Sequence, residues 1–189
     1  TLYLDMVINT VAIYELKAVA QFTAAHVAQL LNYLLLVNAE RGKLINFRPA
    51  SVDPQFVNAA LDDHERRDFS VLDQDYSGPQ ELRHLIVELL TDWGTSLDQS
   101  LYTQAVVACL GGDATVIQQV PMQIEGLPIG NQRFHLASPD EAFRITTFQE
   151  ELTQGHQHQL RKLMAPSPLK AIHWINISHH EVSLRTLSK

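Results

Sequence analysis

Asp5, Glu15 and Lys17 are the residues whose types and spacing could do chemistry near the start of this 189-residue sequence. Leu2, Leu4, Met6 and Ile8 alternate with Tyr3, Asp5 and Val7, the period of a β-strand. Val11 to Ala18 reads as a second strand, in which Ile13, Glu15 and Lys17 share one face because side chains two apart point the same way. With Asn9-Thr10-Val11 as the loop, Ile8 faces Ala12, and counting outward sets Asp5 directly opposite Glu15. Directly opposed like charges are destabilising. A divalent cation would remove the conflict, since Mg2+ takes oxygen ligands from one or two carboxylates and keeps other positions for water and phosphate. Lys17, on the same face, could then orient or deprotonate an attacking water, or offset charge developing on a phosphate. The simpler alternative is an edge hairpin in which Lys17 pairs with Glu15 at the surface.

The elements that must position these groups follow at once. Thr23 is a fair helix N-cap, residues 24–39 are rich in Ala, Leu and Gln, and Gly42 is the expected stop. His26, Gln29 and Tyr33, spaced i, i+3 and i+7, fall on one helical stripe, while Leu30, Leu31 and the run Leu34 to Val37 supply the buried side. Lys43 to Phe47 reads as a short apolar strand. The order strand, strand, helix, strand predicts an α/β or α+β sheet domain.

Asp5, the ten-residue step to Glu15-x-Lys17, and the helical Gln29-x-x-x-Tyr33 together resemble the catalytic half of the PD-(D/E)XK nuclease superfamily. The segments YELKAV, HVAQLLNYL and LINFRP resemble, more narrowly, the bacterial GxxExxxY protein family, and Gln-x-x-x-Tyr is similar to the motif after Glu-x-Lys in RecB-like and Cas4-like nucleases. The resemblance covers residues 2–48. It implies a restriction-endonuclease-like mixed sheet flanked by helices, with Asp5, Glu15 and the Leu16 backbone carbonyl as ligands of Mg2+ or Mn2+. It further implies Lys17 as the catalytic lysine, with Gln29 and Tyr33 facing the site from the helix. His26 could join them or be a helix-surface histidine.

An offset of 130 residues superposes His26-Val27-Ala28-Gln29-Leu30 on His156-Gln157-His158-Gln159-Leu160, and Leu44-Ile45-Asn46-Phe47 on Trp174-Ile175-Asn176-Ile177. At that offset Asp5 falls on His135, Glu15 on Ile145, Lys17 on Thr147 and Tyr33 on Leu163, so the second copy has lost the acid pair and the lysine. Residues 80–134 resemble the family's amino-terminal half through Gly94, Asp98 and Tyr102, and through the strand Gln119-Val120-Pro121. The expected organisation is therefore a catalytic half over 1–48, a linker over 49–79 and a degenerate module over 80–189. A corresponding segment upstream of Thr1 is expected to belong to the first module.

In the linker, residues 62–68 form a mixed-charge run expected to be a solvated face, with Arg66 and Arg67 not assigned to phosphate contacts. His156, His158, His179 and His180 lack the regular spacing of a metal site. A single cysteine, Cys109, excludes an internal disulfide and a cysteine zinc cluster and suits a reducing compartment, so a cytoplasmic location is expected. No apolar run reaches a membrane span. The formal charge of −7 disfavours a broad nonspecific nucleic-acid surface without excluding a local one. Phosphate-binding loops of the Walker type, dinucleotide glycine fingerprints and serine nucleophile elbows do not occur in the sequence. Two functions remain: a Mg2+- or Mn2+-dependent nuclease acting on DNA, or a catalytically silent binding scaffold on the same fold, with the second module available for homo-oligomer or partner contact.

Overall fold

The computed structural model describes residues 3–8, 12–61, 63–149 and 153–189, leaving aside the side chains of 153 and 154. The chain divides into two compact units, Thr1–Arg66 and Arg67–Lys189.

The first unit is a four-stranded sheet in the order β1 (Met6–Ile8), β2 (Ala12–Lys17), β3 (Arg41–Asn46), β4 (Asp53–Asn58), with helix α1 (Ala24–Leu36) between β2 and β3. β1 pairs antiparallel with β2 through Ile8↔Ala12, Val7↔Ile13 and Met6↔Tyr14, the register expected from the sequence. The loop Asn9-Thr10-Val11 lies outside the described residues. β2 runs parallel to β3, and β4 closes the sheet antiparallel to β3. Alternation along β2 buries Ile13 and Glu15, and along β3 it buries Gly42, Leu44 and Asn46. Ile13, Leu44 and Val57 pack with Leu30 and Leu34 of α1 into one core.

Gly42 is not the helix stop. α1 ends at Leu36, and Asn38 takes the left-handed conformation (φ 54°) that turns the chain back toward β3. Gly42 lies inside β3 because a Cβ there would stand 2.9 Å from Leu30 Cδ1 and 3.1 Å from Ile13 O. The missing side chain lets helix and strand approach.

Residues 49–79, read from the sequence as a linker, hold β4, the short helix α2 (Asp63–Arg67) and β5 (Ser70–Leu72). The expected solvated face fails at Arg66, which is buried and donates from Nη1 to Leu35 O at 2.6 Å. That bond occupies one of the carbonyls left open at the end of α1.

The second unit contains α3 (Gln80–Trp93), α4 (Gln99–Cys109), α5 (Asp113–Val116), β6 (Ile117–Ile124), β7 (Leu127–Ser138), β8 (Glu141–Thr146), α6 (Thr153–Met164), β9 (Ala171–Ile177) and β10 (Glu181–Ser188). Its sheet has the order β5-β10-β9-β8-β7-β6. β9 is buried along its whole length, with Ala171, Ile172, Trp174, Ile175 and Ile177 supplying apolar surface and the polar His173 and Asn176 taken up in hydrogen bonds. Trp174 is at the centre of the core with Phe134, Ala142, Leu160 and Met164.

The run β7, β8, α6, β9, β10 follows the same succession as β1, β2, α1, β3, β4. Its pairings are antiparallel, parallel and antiparallel in the same order. One asparagine marks the same place in both. Asn46 accepts from Val19 N (3.0 Å) and donates to Val19 O (2.7 Å). Asn176 accepts from Phe148 N (2.9 Å) and donates to Phe148 O (3.0 Å). Lys17 is opposite Asn46, and Thr146 opposite Asn176. In the hairpin the offset is thus one residue shorter than the sequence superposition takes it, and Glu15 corresponds to Arg144 rather than Ile145. Among the described residues, no helix is long and apolar enough to cross a membrane.

Candidate active site

β2 points Glu15 beneath α1, and its side chain is only 3% exposed. A carboxylate in that position needs charge or hydrogen-bond compensation. Lys17, two residues on and on the same face, donates from Nζ to Glu15 Oε1 at 2.6 Å and to Gln29 Oε1 at 3.0 Å. Gln29 donates from Nε2 to Glu15 Oε1 at 2.8 Å and to the Tyr33 hydroxyl at 2.9 Å. The amide orientation follows from this network, because its oxygen faces the ammonium and its nitrogen the carboxylate. Tyr33, one turn along and itself buried, holds the amide from behind. The lysine therefore does pair with Glu15, but at a half-buried position under the helix rather than on an open edge.

Two of these four bonds end on one oxygen, Glu15 Oε1. Glu15 Oε2 is buried and has no hydrogen-bond partner among the described residues. An ionised oxygen left bare in a protein interior is costly. It is an acceptor of the hard, anionic kind that Mg2+ or Mn2+ takes.

Asp5 follows a different course. It precedes the paired residues of β1, is exposed, and its Oδ2 accepts from Leu16 N at 2.8 Å. The carboxylate thus reaches the backbone beside Glu15, and the same contact fixes the peptide that leads into the Glu15-Leu16-Lys17 run. Among the described residues, no group of three or more His, Cys, Asp or Glu side chains is arranged to hold a metal ion. Mg2+ accepts carboxylate oxygens with water completing its shell, so the donor chemistry of Glu15 Oε2 and Asp5 suits such an ion.

His26 does not join the network. Its Nδ1 accepts from Thr23 N at 3.1 Å, which makes it part of the cap of α1.

This parallel strand pair, its crossover helix and the carboxylate–lysine–glutamine cluster lie within one stretch of sequence with a known counterpart. Residues 1–58 match the PD-(D/E)XK nuclease superfamily. Comparison with curated proteins and with solved structures gives no match. The superfamily match includes β4 and ends before α2, so the second unit lies outside it. PD-(D/E)XK enzymes are phosphodiester hydrolases that typically use divalent metals, and the cluster at Glu15 lies inside the matched segment.

The remaining sequence candidates have structural work. Tyr102, fully buried, donates to Gly94 O at 2.7 Å and accepts from Leu97 N at 3.1 Å, while Asp98 caps α4 by accepting from Ser100 N. The glycine, acid and tyrosine of that region thus build the α3–α4 connection. Arg67 donates to Asp92 O at 2.9 Å. His179 Nδ1 is 2.6 Å from Ser96 Oγ, and His156 packs its ring 5.0 Å from Phe148 and 5.1 Å from Trp174. Asn46 is the residue whose role sequence reasoning missed: it is fully buried and ties β3 to the backbone just beyond Lys17. The signal was its recurrence as Asn176 under the repeat offset.

Proposed function

We propose that this chain hydrolyses phosphodiester bonds of DNA, with Mg2+ or Mn2+ held by Glu15, Asp5 and, as a further ligand, the Leu16 carbonyl. The observation that carries the reading is a buried carboxylate divided in its duties: Oε1 is saturated by Lys17 and Gln29, and Oε2 is bare. A bound ion supplies Lewis acidity toward a phosphoryl oxygen and toward water. The chain's own residues do the rest. Lys17 has three N–H donors and, among the described residues, two acceptors in Glu15 and Gln29, so its third donor is available to a nonbridging phosphate oxygen as charge builds there. Gln29 fixes the ammonium by accepting from it, and Tyr33 fixes Gln29. The superfamily match over residues 1–58 supports this reading.

A second reading is a silent binding scaffold on the nuclease fold, favoured by the engagement of Asp5 with Leu16 N instead of with a ligand-ready cluster. In both, the second unit is a degenerate copy of the first, a reading supported by the common strand order and the two asparagine clamps.

The test is degradation of plasmid and single-stranded DNA by the whole chain in Mg2+, Mn2+ or EDTA, beside Lys17→Ala. Cleavage that needs the metal and falls by about a hundredfold in the variant supports the nuclease. Cleavage that survives both EDTA and Lys17→Ala excludes the mechanism, and no cleavage by folded wild type under any condition leaves the scaffold.

A further inference from the structure

The second unit carries a cleft of about 610 Å³ on the α6 side of its sheet, where the first unit has its carboxylate cluster. The correspondence is set by the backbone. Thr146 takes the place of Lys17 opposite the clamping asparagine, so Arg144 takes the place of Glu15. Gln159 on α6 precedes Asn176 by as many residues as Gln29 precedes Asn46. The position that is a buried acid in one unit is a cation in the other.

Arg144 is not alone. Arg133, His135, His156 and Gln159 line the same cleft, and none of the described residues lining it is acidic. Both arginines are exposed, so their guanidinium groups are reachable. Burial is the main cause that holds His135 and His156 below the ordinary histidine range, followed at His135 by the positive charge of Arg133 and then Arg144, and at His156 by that of Arg144. The floor is apolar, formed by Phe134, Leu160 and Ile172, whereas the His135 ring, 5.5 Å from its cross-strand partner Phe143, shares the sheet face away from α6. Forked guanidinium donors suit phosphate oxygens, and an apolar floor suits the body of a base. A volume in this range is that of a small-ligand site.

We propose that this cleft binds a nucleoside phosphate, its phosphate on Arg144 and Arg133 and its base against the apolar floor. The inference does not depend on catalysis at Glu15. The ligand is either a free nucleotide or a nucleotide of a nucleic-acid strand, and the experiment separates the two.

Calorimetric titrations of the whole chain are made in EDTA, so that the Glu15 site takes no metal. The probes are adenosine and thymidine monophosphates, inorganic phosphate, the unphosphorylated nucleosides and a short single-stranded oligonucleotide. Saturable monophosphate binding, stronger than that of nucleoside or phosphate and weakened about tenfold or more by Arg144→Glu, supports the site. An oligonucleotide that binds much more tightly than the monophosphate, and loses that binding in the same variant, supports it with a strand as the source. Arg133→Ala gives a milder change at the same cleft should Arg144→Glu fail to fold. No binding of any nucleotide at millimolar concentration overturns the proposal, as does equal weakening by Arg41→Glu in the first unit.

Discussion

Replacing Lys17 by methionine removes the cation paired with Glu15, whose carboxylate side chain is 3% exposed while that of the lysine is 18% exposed. Breaking a buried pair from one side costs about 3–5 kcal/mol, because the remaining charge has lost its compensation. Gln29 Nε2 still donates to Glu15 Oε1, and water reaches the lysine position, so about 3 kcal/mol is expected at the lower end of that range. Adding Glu15→Gln removes the stranded charge while keeping a side chain able to bond Gln29. The double variant should therefore recover to within about 1 kcal/mol of wild type. Native-state hydrogen exchange of the β2 and β3 amides reads the opening of the first unit directly, and 3 kcal/mol there is about a 150-fold loss of protection. If Lys17→Met costs less than about 1 kcal/mol, or if the double variant is as unstable as the single one, the pair is not the buried, mutually compensating one argued here.

Three further outcomes follow from the packing and the titrating groups. Gly42→Ala should destabilise the first unit by about 1–3 kcal/mol in urea unfolding, since its Cβ would stand 2.9 Å from Leu30 Cδ1 and 3.1 Å from backbone Ile13 O. Asn46→Ala should lose protection at the Val19 amide and cost about 2–3 kcal/mol, having removed both bonds to Val19 from a buried site. His135, His156 and His173 are all held below the ordinary value of 6.5, chiefly by burial. Their folded forms take up protons less readily than the unfolded chain, so the second unit should lose melting temperature as pH falls below about 6.5, and His173→Asn should flatten that slope.

The parts of the site legible in the sequence are those governed by local periods. Two-residue alternation put Ile13 and Glu15 on one face, and the i, i+4 step put Gln29 and Tyr33 on one stripe; the Ile8↔Ala12 register followed from the length of the loop. What escaped is tertiary. Gly42 reads as a helix stop because glycine commonly ends helices, yet only the closeness of α1 to β3 shows why a Cβ is excluded. Arg66 sits in a charged run, but its partner is a carbonyl of α1 remote in sequence. An uninterrupted superposition could not show that the second hairpin is one residue out of step, because the extra residue lies in the sequence between Phe148 and Gln159, one longer than that between Val19 and Gln29. Asp5 could be placed near Glu15 by counting, but its choice of the Leu16 amide as partner is a matter of side-chain geometry.

The most direct measurement of the central claim is Mn2+ binding to the whole chain, followed by electron paramagnetic resonance, beside Glu15→Gln. The account predicts one site in the wild type that disappears in the variant while the fold, read by circular dichroism, is retained. Undiminished Mn2+ binding in a folded Glu15→Gln protein, or none in the wild type, would contradict it.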